Sequence, residues 1–386
     1  MSGPGRHAVA AGTVFDGSHL HRDCAVVIDA PRIAALFPRS QLPAAMPIHA
    51  LPEGVWLAPG FIDVQVNGGG DVLFNDEPTP EGIATIVRAH RRFGTTSLLP
   101  TLISCTPAKM RAALDAVDRV VPLYPSVLGI HLEGPYLSPE KPGVHDPAMF
   151  RQPTVADSER LTARRGGVTL VTLAPEQVPG GFVARLVKAG VRVSLGHSMA
   201  TYAQTKAAMA EGLTGFTHLF NAMRQPASRE PGPVVAALEA QAAWFGMIVD
   251  GHHVDPAILR LALRGSARPM LVTDAMPSIG GSRATFTLFG QEIVVADGRC
   301  TRADGTLAGA YLDMASAVRN CVELLGVPLT QALRFASAEP ASFLGLGDVL
   351  GRIAPGCRAD LVAFNPDDIA IHATWVAGEP LAESAP

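Results

Sequence analysis

VRVSLGHSMATYAQTKAAMAEGLTGFTHLF, residues 191–220, decides how this chain is read. It opens on a β-branched apolar run, VRVSLGHS, passes through a helical pattern, TYAQTKAAMAEG, and ends on a second β-rich run, GFTHLF. A strand, a helix and a further strand make a crossover unit, and such units build parallel sheets. Each of the two strands closes on a histidine, His197 and His218, which lie 21 positions apart. The same 21 positions separate His253 from Asp274.

Six more β-rich runs surround this unit: GFIDVQV, TTSLLPTLIS, VLGIHLEGPY, VTLVTLAPE, WFGMIVDGHH and MLVTDAM. Helical patterns such as EGIATIVRAHRRF, PAKMRAALDAVDRV, FVARLVKAG and DPAILRLALRG fall between most of them. Eight apolar strands with helical crossovers argue for an α/β fold, a (β/α)8 TIM-like barrel. A doubly wound sheet is the runner-up, but no GxGxxG opens its first turn. Short Gly- and Pro-punctuated strands at both ends of the chain are expected to meet as one small β-sandwich domain. The expected boundaries are 1–57 and 346–386 for that domain and 58–345 for the barrel, with 279–305 a β-hairpin insertion.

With 48% hydrophobic and 17% charged residues, the 386-residue chain has the composition of a well-buried globular enzyme. A net charge of −4 offers no basic field for nucleic acid or anionic membrane. No apolar run approaches the ~20 residues that span a bilayer, and the first residues lack an apolar signal core. Cys24, Cys105, Cys300, Cys321 and Cys357 are scattered without CxxC spacing. They read as free thiols in a reducing compartment, which places the protein in the cytoplasm. Cys105 ends a strand near the expected site and reads as a packed thiol.

The ionisable residues sit where the strands stop. Glu133 closes VLGIHLE, His197 closes VRVSLGH, His218 closes GFTH, His253 follows MIVDGH, and Asp274 closes MLVTD. Buried carboxylates and imidazoles cost free energy unless paired or ligated, and in a barrel these ends converge on one mouth. Glu133, His197 and His218 suit a catalytic zinc site with an open water position. Such a metal acidifies its water and polarises a carbonyl, while Asp274 can take the proton and pass it to a leaving amine. The pieces describe amide hydrolysis. GFIDVQVNGGGD, residues 60–71, poses a question beside them: Asp63, Gln65 and Asn67 share one strand face. Many metal-dependent hydrolases carry a His-x-His pair there, and Gln-x-Asn ligates metal poorly.

APGFIDVQVNGGG, GIHLEGPYLSPEKPGVHDP, SLGHS, THLFNAM, REPG, DGHHVD, LVTDAM and LAG follow one another in the order found in a known family. In these motifs, over residues 58 to 345, the chain resembles the N-acetylglucosamine-6-phosphate deacetylases of the amidohydrolase superfamily. The resemblance implies hydrolysis of a phosphorylated amino sugar, N-acetylglucosamine 6-phosphate, to glucosamine 6-phosphate and acetate. It implies metal binding by Glu133, His197 and His218, with Asp274 as acid/base and His145 polarising the acetamide carbonyl. Val144, His145, Asn221 and Ala222 match substrate-binding positions, and Arg229 matches a phosphate-binding arginine. A guanidinium suits phosphate, and Pro231 to Pro233 lead into a helix whose N-terminus favours anions. Asp250, Gly251, His252 and His253 match a further substrate-contacting run, and Leu307, Ala308 and Gly309 match a segment that closes over the substrate. A homodimer sharing phosphate contacts across its interface is implied as well.

The resemblance includes members with Gln-x-Asn in place of the histidine pair. One divalent metal per subunit, zinc, is therefore expected, with Gln65 and Asn67 orienting water or neighbouring side chains or simply packing. Ala310 and Tyr311 depart from the usual continuation of LAG, which leaves sugar preference open. Deacetylation of the galactosamine epimer or of an unphosphorylated sugar, and a non-catalytic barrel retained for binding, are the alternative readings.

Overall fold

Eight strands lie side by side in one sheet of a computed structural model that describes residues 6–163 and 165–381. They are β1 (Phe61–Val66), β2 (Thr95–Ile103), β3 (Gly129–Glu133), β4 (Val168–Leu173), β5 (Arg192–Leu195), β6 (Gly215–Phe216), β7 (Trp244–Met247) and β8 (Arg268–Leu271). Each neighbours the next in sequence. Past β8, Ala275 pairs in parallel with Val66. The Asn67 N–H donates to the Ala275 carbonyl and the Asp274 N–H to the Gln65 carbonyl, both at 3.0 Å. The sheet thereby returns to its first strand, and the runs picked out by composition are the staves of a barrel.

β1, β2 and β3 are buried along their whole length. Strands covered on both faces have no solvent side to alternate with, so the polar side chains within them, such as Asp63, Gln65, Thr101 and Glu133, are buried too. In the 191–220 unit, Ser194 pairs with Gly215 and Leu195 with Phe216, in parallel. β6 is shorter than the run GFTHLF, because the backbone leaves the strand after Phe216.

The crossover helices begin where their sequences supply caps. The Thr106 hydroxyl accepts from the Lys109 N–H, ahead of Pro107, at the start of Pro107–Val120. Thr201 and Gln204 form a capping box for Tyr202–Ala210, and the Asp255 carboxylate accepts from the Ala257 N–H at Pro256–Ala262. These side chains satisfy N–H groups that the first helical turn leaves open. Pro107–Val120 buries Met110, Ala113, Leu114, Val117 and Val120, a helical stripe that faces inward.

After β8 the chain makes a four-stranded antiparallel meander: Thr285–Leu288, Gln291–Ala296, Arg299–Thr301 and Leu307–Ala310. Its first two turns are two-residue hairpins, Phe289–Gly290 with φ of 50° and 76° and Asp297–Gly298 with φ of 49° and 72°. Positive φ at both positions matches the twist of the flanking strands. Leu288, Ile293, Cys300 and Ala308 pack with Leu73, Ile103 and Met276.

Val64–Ala89 and Leu98–Leu312 form one compact unit. His90–Ser97 and the described parts of the terminal segments, up to Asp63 and from Asp313, form another. Its eight-stranded mixed sheet joins the two ends of the chain: Leu361–Phe364 runs antiparallel to Trp56–Pro59, register Leu361 to Pro59. Val9, Val26, Leu57, Leu361 and Trp375 share one apolar cluster there. Among the described residues no helix is long and apolar enough to cross a membrane.

One charged cluster ties a helix start to the loop before it. Asp157 caps Val155–Thr162 reciprocally with Thr154, and both its oxygens accept from Arg151, one of them at 2.9 Å. Burial pushes this carboxyl up, but Arg151 and Thr154 hold it at about 2. Asp157→Asn is expected to cost about 1–2 kcal/mol at pH 7, after allowance for solvent screening. Because the native value is depressed, the difference from wild type should stay constant above the ordinary value of 3.8. It should close as the pH falls toward about 2. Urea unfolding at a series of pH values checks both.

Candidate metal and active site

The strand ends deliver their ionisable groups to one buried point. Glu133 is the last residue of β3, His197 follows β5, His218 follows β6, and Asp274 follows β8. All four are buried. His197, His218 and Asp274 sit at φ of 49°, 31° and 51°, left-handed conformations that non-glycine residues adopt at a cost. These kinks lie two or three residues past the strand ends, where the side chains meet in one place.

Three donor atoms meet there. Nε2 of His218 is 2.9 Å from Glu133 Oε1, Nε2 of His197 is 3.2 Å from the same oxygen, and the two Nε2 atoms are 3.1 Å apart. Tetrahedral zinc with bonds of about 2.0–2.1 Å would separate its donors by about 3.3 Å. The Lys141 carbonyl lies 2.9 Å from His197 Nδ1. A carbonyl only accepts, so Nδ1 carries a proton, which leaves Nε2 as the ring nitrogen that can offer a lone pair toward Glu133 and His218. A lone pair facing a carboxylate oxygen repels it unless a proton or cation lies between. The donor set therefore fits a divalent metal.

Gln65 and Asn67 face the carboxylates. Gln65 Nε2 lies 3.3 Å from each oxygen of Glu133 and 3.1 Å from Asp274 Oδ1. Asn67 Nδ2 donates to the same Asp274 oxygen at 2.6 Å. Burial and the nearby Glu133 charge push the Asp274 carboxyl up to about 6. His145 Nδ1 lies 2.8 Å from Ser104 Oγ and 3.4 Å from the Ser104 N–H, and its Nε2 lies 4.0 Å from Glu133 Oε2. Since a backbone N–H only donates, Nδ1 is the acceptor and Nε2 carries the proton. Burial, then the neighbouring His197, holds His145 well below its ordinary value, so it stays neutral.

Asn67, Glu133, His145, His197, His218 and Asp274 line a cavity of about 390 Å³ with Val144, Asn221, Ala222, His253, Leu307 and Gly309. Ile103, Gly143, Ile248, Met276, Gly305 and Thr306 complete the wall. Asp250 stands behind His253, with its Oδ2 2.6 Å from Nδ1. Gly251 and His252 are exposed, and Ala308 is buried behind the wall. Arg229 is exposed and does not line the cavity. At the start of the helix expected to offer an anion site, Gly232–Leu238, Glu230 Oε1 accepts from the Gly232 N–H at 3.0 Å. Tyr311 is 45% exposed and does not line the cavity. Burial drives the Cys105 thiol up to about 11, as for a packed thiol.

Some contacts carry no mark in the sequence. The Lys141 carbonyl and Ser104 orient two histidines from loops far along the chain. Arg302, in the meander, donates from Nη2 to the Val144 carbonyl at 2.7 Å, tying the meander to the loop that carries His145. Only the three-dimensional pairing of the loops reveals these roles.

The amidohydrolase family model matches residues 56–381. The chain is 42% identical over 341 residues to an N-acetylgalactosamine-6-phosphate deacetylase of Shewanella sp. (strain ANA-3), covering 88% of this chain and 86% of that protein. It is 35% identical over 368 residues to an N-acetylglucosamine-6-phosphate deacetylase of Haemophilus influenzae, covering 94% and 96%. Among solved structures, the N-acetylglucosamine-6-phosphate deacetylase of Pasteurella multocida matches with a TM-score of 0.94 and 34% identity, covering 98% of this chain and 100% of that one. The corresponding enzyme of Mycobacterium smegmatis matches with a TM-score of 0.89 and 37% identity, covering 97% and 100%.

Gly309 fixes the wall nearest Asp274. Its φ is 64°, and an added Cβ would stand 2.6 Å from Met276 Sδ and 3.0 Å from the Asp274 carbonyl. Gly309→Ala is expected to lower stability by about 1–3 kcal/mol, read as a shift of the urea midpoint. An unchanged midpoint would mean that this wall yields.

Proposed function

The chain belongs to the amidohydrolase family, and from that premise we propose that it deacetylates an N-acetylhexosamine 6-phosphate, preferring the glucosamine form and releasing acetate. The observation that carries the reading is the convergence of Glu133, His197 and His218 with Asp274 in one cavity. A divalent metal held by the first three, zinc by the imidazole and carboxylate donors, supplies Lewis acidity and an acidified water.

The chain's own groups supply the rest. Asp274, with its carboxyl raised to about 6, takes the proton of the attacking water and returns it to the departing nitrogen. A raised value suits this exchange, because a strongly acidic carboxyl would not hold the proton between the two steps. Neutral His145 donates a hydrogen bond from Nε2–H to the acetamide oxygen as charge builds there, keeping its proton. Asn221, Ala222, Leu307 and Gly309 shape the sugar's place in the wall, and His253, braced by Asp250, faces the phosphorylated end.

Arg229 is exposed on its own chain, so as a phosphate ligand it would act from a second copy, in a homodimer. The five buried free cysteines fit a reducing, cytoplasmic setting.

Deacetylation of the galactosamine epimer is the second reading, favoured by the 42% identity to a deacetylase named for that sugar. Release of acetate from both epimers by the zinc-loaded protein decides between them. The expected result is activity on N-acetylglucosamine 6-phosphate, with kcat/KM at least about tenfold higher than for the epimer, a gap of about 1.4 kcal/mol in transition-state stabilisation. The reverse order would install the galactosamine reading, and activity on neither would end the proposal. Chelation should abolish turnover and zinc restore it. Asp274→Asn should cost at least about 100-fold in kcat while the protein still binds zinc.

A further inference from the structure

We infer that Gln65 and Asn67 are positioning residues with divided tasks, Gln65 bracing the metal-binding carboxylate against Asp274 and Asn67 holding Asp274 alone. The inference rests on the hydrolase reading above. Glu133 and Asp274 are two carboxylates buried in one place, and like charges there repel. Gln65 Nε2 stands between them, 3.3 Å from both Glu133 oxygens and 3.1 Å from Asp274 Oδ1. Asn67 Nδ2 reaches Asp274 Oδ1 at 2.6 Å and the Asp274 carbonyl at 3.3 Å, with no hydrogen bond to Glu133. Amide N–H groups suit this place because they donate at every pH and add no charge to balance.

The two amides also make the oxygens of Asp274 unequal. Oδ1 takes both donors, whereas Oδ2 has no hydrogen bond from the described residues. Oδ2 is therefore the oxygen that handles the proton. The attacking water bonds its oxygen to the carbonyl carbon and gives one proton to Oδ2. As the C–N bond breaks, Oδ2 passes that proton to the nitrogen, leaving acetic acid and the free amine. Both amides come from the barrel seam, where Asn67 N–H and Asp274 N–H close the sheet. The backbone that completes the barrel thus also aims the side chain that moves the proton.

Asn67→Leu and Gln65→Met keep approximate size and remove the donors. In Asn67→Leu, kcat for N-acetylglucosamine 6-phosphate should fall about 100-fold, as expected when a reacting group loses its alignment. KM should stay within about threefold and zinc affinity, read by chelator competition, should be unchanged. In Gln65→Met both should suffer, with zinc affinity reduced about 10- to 100-fold by loss of a hydrogen bond to a ligating carboxylate. Asn67→Ser should show the same split as Asn67→Leu and replaces it if the leucine variant does not fold. Wild-type kcat in all variants, or equal loss of zinc affinity at both positions, would overturn the inference. Zinc-loaded wild type that releases no acetate would instead refute the hydrolase reading, and the zinc-affinity contrast would still report on the two amides.

Discussion

The site depends on a seam of backbone hydrogen bonds between the end of the first barrel strand and the residues that follow the last. Asn67 N–H to the Ala275 carbonyl and Asp274 N–H to the Gln65 carbonyl join the end of the last barrel strand to the end of the first. A parallel sheet that did not close here would leave Asp274 on an edge, facing neither Gln65 nor Asn67. The glycines after β1 serve the same seam. Gly68 lies so close to the facing backbone that a Cβ would fall 2.5 Å from the Val72 carbonyl and 2.9 Å from Pro277 N. Ala310 extends the joint by pairing with Ala275, which brings the meander's last strand to the cavity wall.

Around that seam the molecule tolerates several local costs. Left-handed backbone at His197, His218 and Asp274 disfavours the folded state by about 1–3 kcal/mol each. A buried carboxylate beside two imidazoles adds its own desolvation cost. The continuous burial of β1, β2 and β3 offsets such terms, at about 25 cal/mol for each Å² of apolar surface removed from water. What remains is a frame in which Nε2, Nε2 and Oε1 stand 2.9 to 3.2 Å apart. Such an arrangement stores an affinity for positive charge.

Much of this was legible in the amino-acid order. One ionisable residue at a strand end has an innocent explanation, but several closing successive apolar runs do not, and Glu133, His197, His218 and Asp274 were found that way. The barrel was legible too, since β-branched runs alternate with capped helical stripes such as Thr106 to Val120. What Gln65 and Asn67 do was not, because an amide reads equally as ligand, packing or hydrogen-bond donor until its partners are known. The Lys141 carbonyl was invisible for a simpler reason: every residue carries a carbonyl. Glu230 is a further case, since nothing in the local sequence showed that its carboxylate would accept from the Gly232 N–H at the start of a helix. Arg302 touches Val144 across 158 positions, a distance over which single-sequence patterns carry no signal.

The central claim is that one divalent cation belongs to Glu133, His197 and His218 and that Gln65 and Asn67 hold carboxylates, not a second metal. Anomalous diffraction at the zinc edge, from crystals of the zinc-loaded protein, tests it most directly. The account expects one peak in this cavity, within bonding distance of those three side chains. A second peak against Gln65 and Asn67, or no peak at the three donors, would contradict it.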